Sequence, residues 1–431
     1  MWKDDFSIDF NIVFNRKNRG YQQVFNSFST VTKIFTTMKD SHSINELKER
    51  MASGKEVFCS GLFLSARWFA LAGAASPGIN LIVLPDRDSA EYCSSDLYSL
   101  IDGDRVFFLP VSGKSVERSN YKSSLGVQRT SAVNSIMNWK PGSPALFIVS
   151  WPEALEEPVP DRSRISGAVL NLRKGEEISR DKIVEVLAAQ NFTKTDFVSA
   201  PGQFAVRGSI IDIFSFSDSH PFRISFFGDE VENINVFDCN TQLSREVRDE
   251  ASIFPDIIAG DNADGGVPVS AILPQDTVVW LDSSDMYRER EFFSGLDPFR
   301  KVFIDTPLSR KDAVPVNFSI APQPVFNKNF DLLSTDIATK MENGYKVLIY
   351  CEKESQSERL RSILSRNGGL FPEFVIGKNL HRGFIDNENK ICRYTDHEIF
   401  DRFHRVSLRR TVEKSEQLTL NDLSAFNIGD Y

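Results

Sequence analysis

Pro201-Gly202-Gln203-Phe204-Ala205-Val206-Arg207-Gly208-Ser209-Ile210-Ile211-Asp212-Ile213-Phe214, followed by Phe222-Arg223-Ile224-Ser225-Phe226-Phe227-Gly228-Asp229-Glu230, is the stretch whose reading decides the fold. Phe222, Ile224 and Phe226 alternate with Arg223 and Ser225, the period-two pattern of a strand with one buried face. Gly228-Asp229 supplies a turn, and Ile234 and Val236 continue the pattern on a return strand. The segment therefore reads as an antiparallel hairpin with one polar face. Arg223 then points away from the core, and Arg207 precedes Gly208 on the same kind of strand. Just upstream, Ser179 is placed to cap a helix whose apolar face is Ile183, Val186 and Leu187. Residues 164–240 thus form an α+β unit with one helix. Phe204, Phe226 and Phe227 read as core or hairpin packing. Asp212 has two readings: a buried strand residue serving a neighbouring backbone group, or an ion-pair partner for Arg207.

Working outward, residues 44–160 have a different grammar. Glu56–Ser60, Asn80–Leu84, Val106–Leu109 and Ala145–Val149 are short continuous apolar runs. Helical patterns lie between them at Ser65–Ala75 and Asp88–Leu100, the latter with Ala90, Leu97 and Leu100 as core positions. Bare apolar strands alternating with helices imply a parallel sheet covered on both faces. Asn45–Met51 is a short polar helix ahead of it. The change of character falls at Pro158-Val159-Pro160. Downstream, Gly260–Gly266 reads as a surface loop. Thr277–Leu281 is another buried-type strand ending in Asp282. The stretch holding Pro307, Pro315, Pro322 and Pro324 is a linker or an extended wrapping segment. Lys346–Tyr350 and Gln356–Leu364, a strand and a helix, open a further α/β unit.

The 431 residues carry a formal net charge of -9, with 41% hydrophobic and 25% charged residues. That is an ordinary globular composition, long enough for several cores. The acidic balance counts against a dedicated nucleic-acid surface, which needs a basic surplus for phosphate contacts. The five cysteines are dispersed with no CxxC pair, so neither a zinc site nor a disulfide framework is implied and a reducing cytoplasm is the simplest setting. No stretch reads as a signal peptide or a transmembrane helix. The 35 phenylalanines read as core filler, because no basic residues interleave with them as in a base-stacking platform. His397 and His404, near Asp396 and Asp401, read as a charged helix surface, not as metal ligands.

Gly61-Leu62-Phe63-Leu64-Ser65-Ala66-Arg67-Trp68 follows a strand and opens a helix, the context of a phosphate-binding loop. Ala66 stands where the second glycine belongs, Arg67 replaces the lysine, and Trp68 replaces the hydroxyl residue that holds magnesium. Ala restricts the curl of the amides, Arg is not a compact ammonium, and Trp cannot ligate the metal. The octapeptide is either a decayed phosphate loop or an ordinary strand-to-helix turn. Asp282-Ser283 offers the aspartate of an Asp-Glu pair with serine where the glutamate should be. No nucleotide hydrolysis is expected.

The run 201–214, with 223–230 and Ile234-Asn235-Val236-Phe237-Asp238-Cys239-Asn240-Thr241-Gln242, resembles the strand-rich domain shared by the excision-repair protein UvrB and the transcription-repair coupling factors. Ser60-Gly61-Leu62 with Ser65-Ala66-Arg67 resembles the coupling-factor version of the first domain. Tyr394–Phe400 and Gly429-Asp430-Tyr431 resemble the approach to, and opening of, its polymerase-interacting domain.

The resemblance implies an α/β multidomain chain. A degenerate phosphate-loop, helicase-like parallel-sheet domain (1–160 and 247–310) is split around an inserted antiparallel α+β UvrA-docking domain (161–246). A small α/β domain (311–422) follows, and 423–431 begins the next. It implies a non-catalytic module that recruits UvrA to transcription-coupled nucleotide excision repair, through Lys194, Arg207 and Arg223 on the exposed sheet face. The family has a basic residue at the position of Ala205 and an acidic one at that of Ser225, so this chain's contact list differs. No cofactor is implied here; ATP and magnesium belong to a motor beyond Tyr431, as do the contacts with RNA polymerase and DNA. The segment is expected to be monomeric and cytoplasmic, without membrane attachment. The competing reading is a UvrB-like ATP-dependent helicase or DNA-binding module.

Overall fold

The computed structural model describes residues 41–402, apart from 55, 102–104, 113–120, 162, 164–166, 219, 240, 256–265, 305–313 and 367–371. The readings of Gly429-Asp430-Tyr431, of His404 and of most of the 260–266 loop therefore lie outside the described residues. Contacts divide the chain into two compact units. One comprises residues up to Ala52, Ser60–Ala74 and Val316–His404; the other is built chiefly from Ser53–Cys59 and Ala75–Pro315.

In the second unit the strands run, in chain order, β1 (Glu56–Ser60), β2 (Ile79–Val83), β3 (Val106–Phe108), β4 (Leu146–Ser150), β5 (Leu170–Arg173), β6 (Thr193–Lys194), β7 (Gln203–Arg207), β8 (Ile210–Ile213), β9 (Phe222–Phe227), β10 (Glu230–Phe237), β11 (Ser244–Arg248), β12 (Glu250–Ile253), β13 (Val278–Asp282) and β14 (Arg300–Ile304). β1, β14, β13, β2, β4 and β3 lie side by side in that order, every pair parallel. This is the sheet that the bare apolar runs imply. β2 and β13 are buried at every position, which only a sheet covered on both faces allows. Asp86 caps the helix Arg87–Leu100 by accepting from the Ser89 amide at 2.8 Å, and Ala90, Leu97 and Leu100 face the core as expected.

The helix Phe330–Glu342 escapes the sequence reading, and so does Tyr121–Asn138. Buried positions of the latter include Arg129, Thr130 and Asn134, so the apolar stripe that would reveal it is interrupted by polar groups. Arg129 donates to the carbonyls of Pro110 (2.8 Å), Ala154 (3.0 Å) and Glu157 (2.7 Å). One buried guanidinium thereby ties the segment after β3 to the short helix Pro152–Glu156 and its C-terminal cap.

The chain enters and leaves the inserted domain through a paired neck. Val159 and Val267 exchange two backbone hydrogen bonds (2.9 and 2.8 Å), and β5 pairs antiparallel with β12. Beyond the neck, β11-β10-β9-β8-β7-β6 form a sheet that is antiparallel except at β6–β7. The helix Arg180–Ala189 covers one face, burying Ile183 and Leu187 against Phe204, Ile211, Ile224, Phe226 and Ile234. Each such aliphatic side chain contributes about 1.5–3 kcal/mol. The helix ends in a left-handed Asn191 (φ 61°). The Phe192 and Asn191 amides donate back to Leu187 (2.9 Å) and Ala188 (3.2 Å), which satisfies the last carbonyls.

The first unit contains the short strand β15 (Val316–Asn317) and a five-stranded sheet built from β16 (Ile320–Pro322), β17 (Lys346–Cys351), β18 (Glu373–Ile376), β19 (Phe384–Asp386) and β20 (Ile391–Thr395), in the order β16-β19-β20-β17-β18. Helices Phe330–Glu342 and Glu354–Arg366 accompany it, with Leu333, Ile337, Leu360 and Leu364 in its core. Of the proline-rich stretch, Pro307 lies outside the described residues, and Pro322 lies in β16. The charged-surface reading of His397 is corrected. The helix there is only Asp396–Ile399, and both Asp396 and His397 are buried, with Asp396 paired to Arg402 at 2.6 Å. Burial lowers the His397 imidazole to about 4.

Candidate protein-docking face

The helix-covered face of the inserted sheet is its core, so function must be sought on the other. Register places Ala205 opposite Asp212, Asp212 opposite Arg223, Arg223 opposite Asn235, and Asn235 opposite Val247, so these side chains share the open face. Arg207 and Phe227 fall on it by period-two spacing.

At its centre is Asp212, 1% exposed. Its carboxylate accepts from Arg223 twice, Nε to Oδ1 at 2.8 Å and an Nη to Oδ2 at 2.9 Å, and also pairs with Arg207. Of the two readings of Asp212, the ion pair is therefore the observed one, with two arginines and not one. The guanidinium of Arg223 lies 4.2 Å over the Phe237 ring and donates to the Gln242 backbone carbonyl (3.3 Å) and to Gln242 Oε1 (3.0 Å). The Asp212 hydrogen bonds, against the cost of partial burial, hold Arg223 above the usual arginine value. Arg207, twice as exposed, lies 5.1 Å over Phe197. Both arginines of this face thus stack on phenylalanine rings, Arg223 on the buried Phe237 and Arg207 on the exposed Phe197.

Around this triad several large apolar side chains are exposed. Phe227 is 79% exposed, Val247 67% and Phe197 63%; Leu243, just ahead of β11, is 68% exposed. Phe227 is therefore not packed in the core, a correction to its reading as hairpin packing. The signal was present: Phe227 has the parity of Arg223, not of Phe226. Lys194 is exposed on the edge strand β6, but its register partner is Phe204, which faces the core. It therefore does not share a face with Arg207 and Arg223.

The 61–68 loop has a separate geometry. Gly61 (φ 69°) is packed against the Phe318 carbonyl, which a Cβ at this position would meet inside the 3.0 Å that real Cβ atoms keep. The Phe318 amide donates to the Ser60 carbonyl (2.8 Å) and the Arg382 amide to Ser65 Oγ (3.0 Å). Arg67 Nε donates to its own loop at Leu64 (2.9 Å), while Ala66 and Trp68 are buried. The helix Ala66–Ala74 sets Phe69 edge-on to Phe384 (5.3 Å), with the buried Arg393 guanidinium 4.7 Å over the Phe69 ring. Gly61 thus packs directly on the chain's own backbone at Phe318. Asp282 is buried at the end of β13. Among the described residues no group of three His, Cys, Asp or Glu is arranged to hold a metal ion, and no helix is long and apolar enough to cross a membrane.

Sequence comparison bears directly on the open-faced sheet. Residues 170–257 match the family described as the UvrB interaction domain, a span that starts with β5 and ends just past β12. Over 227 residues (52% of this chain, 19% of the relative) the chain is 30% identical to the transcription-repair-coupling factor of Bacillus subtilis, and over 177 residues (41% and 15%) 27% identical to that of Haemophilus influenzae. Over 90 residues (20% and 13%) it is 43% identical to UvrABC system protein B of Streptococcus pneumoniae. The fold and this face define an α/β multidomain chain carrying a UvrB interaction domain. The wider similarity is that of the N-terminal region of a transcription-repair-coupling factor, and the chain spans less than a fifth of the length of these relatives in the matched regions.

Proposed function

We propose that this chain is a UvrA-docking module that hydrolyses nothing itself. It would bring UvrA to a coupling factor whose ATP-driven motor, RNA-polymerase contacts and DNA contacts lie beyond Tyr431. The observation that carries the reading is the open face within residues 170–257, where Arg207, exposed Phe227 and exposed Val247 surround a buried carboxylate. Exposed apolar side chains beside an arginine are the composition of a protein interface, in which aromatic and arginine anchors dominate the energy. Arg207 and Arg223 stay as site residues in this reading, Arg207 as a direct donor. Lys194 is left as a peripheral contact.

The non-catalytic part is supported by Ala66, Arg67 and Trp68 standing where a phosphate loop has glycine, lysine and a hydroxyl residue, and by the packing of Gly61 on the Phe318 carbonyl. The acidic balance of -9 favours a protein partner over nucleic acid. The setting proposed is the cytoplasm, with the module monomeric.

The test is competition. The labelled chain bound to UvrA should be displaced stoichiometrically by UvrB, since both carry the same interaction domain. Phe227→Asp should abolish binding while leaving the melting curve unchanged. Simultaneous binding of UvrB and the chain to one UvrA site, or wild-type affinity of Phe227→Asp, would overturn the proposal.

A further inference from the structure

The two arginines of the open face have different jobs, and one carboxylate separates them. A guanidinium has five N–H donors. Arg223 spends Nε and one Nη on the two oxygens of Asp212 and further donors on the carbonyl and Oε1 of Gln242, and its plane is stacked on Phe237. It is largely saturated from within. Arg207 shares only one Nη with Asp212 and rests on Phe197, itself solvent-exposed. Arg207 is 36% exposed, and among the described residues its remaining donors make no other hydrogen bond. Asp212 is almost wholly buried, so it cannot reach a partner; it can act only through the arginines that cover it.

We propose that Asp212 is the positioning residue of the docking face. It is locked by Arg223, and it in turn holds the Arg207 guanidinium flat on Phe197, ordered before the partner arrives. The partner then meets one oriented fork of net charge +1 (two arginines less one aspartate), not two independent cations. The chemistry that fits is a carboxylate flanked by an apolar pocket: the fork takes the carboxylate in a paired hydrogen bond, and Phe197 and Phe227 enter the pocket. Ordering a long side chain ahead of binding spares its entropy at the moment of binding, the usual gain from preorganisation. This inference rests on the docking reading above, and deepens it by naming the group that sets the geometry.

A double-mutant cycle tests it, with UvrA as the probe and the whole chain as the protein. Asp212→Asn should weaken binding about threefold to tenfold, the cost of immobilising one arginine on association. Because the variant carries one more positive charge, the loss should lie in a faster koff, with kon not reduced. In an Arg207→Ala background the same change should cost less than about twofold, since the residue acts through Arg207. Equal losses in both backgrounds, or a loss confined to kon, would overturn the proposal.

If Asp212→Asn does not fold, Arg223→Lys serves instead. It keeps a charge beside Asp212 but gives up the fork that locks the carboxylate, so binding should weaken, though by less than Arg207→Ala weakens it. A loss as large as that of Arg207→Ala would overturn the proposal. A measurement without any partner separates this inference from the docking reading. Arginine side-chain NMR should show hindered guanidinium rotation for both Arg207 and Arg223 in the wild-type chain. Free rotation of Arg207 there refutes positioning whether or not UvrA binds. Hindered rotation with no UvrA binding would instead leave Asp212 as the organiser of a face whose partner is not UvrA, so the docking reading would fail alone.

Discussion

Gly61→Ala puts the reading of the 61–68 loop at risk. Gly61 is left-handed at φ 69°, which costs a residue bearing a Cβ about 1–2 kcal/mol. The added methyl would also meet the Phe318 carbonyl inside contact distance. The obstacle is backbone, not the movable end of a side chain, so relief needs the strand around Phe318 to shift. Overpacking of this kind costs about 1–3 kcal/mol, giving about 2–5 kcal/mol in all. Gly228→Ala is the internal control: its φ is 66°, but a Cβ there meets nothing within 4 Å, so it should show only the conformational part. Denaturant midpoints give the totals, and hydrogen exchange gives the location. Protection should fall in 60–74 and 316–322 of Gly61→Ala and stay unchanged across 203–248. Equal costs for the two substitutions, or unaltered protection at 316–322, would refute the claim that this loop is a structural joint closed by its own chain.

Three further outcomes follow from the same geometry. Arg129→Leu strips three buried carbonyls of their donor and should cost about 3–5 kcal/mol, read as a fall in denaturant midpoint with lost protection at 106–112 and 150–157; Arg129→Lys, a point charge, should recover less than half. His397, lowered to about 4 by burial and by the nearby Arg402 and Arg382, binds a proton in the unfolded chain before it does in the folded one. Stability should therefore fall as pH drops from about 6.5 to 4, by at most about 3 kcal/mol. The neighbouring Asp396, raised by burial against its Arg402 pair, acts in the opposite sense as pH rises through its folded value, so the difference between wild type and His397→Gln isolates the histidine. Magnesium ATP should leave the melting temperature unchanged, whereas a site with a Kd one hundredth of the nucleotide concentration would add about 2.7 kcal/mol.

What was legible in the sequence was what local pattern controls. The bare apolar runs gave the parallel sheet, because a strand buried on both faces cannot alternate. The Phe222–Phe226 alternation gave the hairpin and the orientation of Arg223. The helix Tyr121–Asn138 was not legible, because its buried side includes Arg129, Thr130 and Asn134, whose partners are distant carbonyls that no periodicity reveals. Asp396 and His397 failed for a related reason: a charged dipeptide looks solvated until the fold supplies Arg402 and the His381 carbonyl. The candidate site was half legible. Arg223 was visible by parity and Arg207 through the family resemblance, and Phe227 was in principle visible by parity too. The Arg223–Asp212–Arg207 bridge depends on the register of β7, β8 and β9, which lies beyond any one strand. The register of β6 likewise set Lys194 apart from the two arginines.

The most direct test of the central claim is a calorimetric titration of UvrA from the same organism into the folded 431-residue chain, beside Arg207→Glu/Phe227→Asp. The account predicts saturable binding by the wild type at micromolar or tighter affinity, the range in which specific protein docking is found, and none by the double variant. No binding by a wild-type chain whose fold has been verified, or equal binding by both proteins, would contradict it.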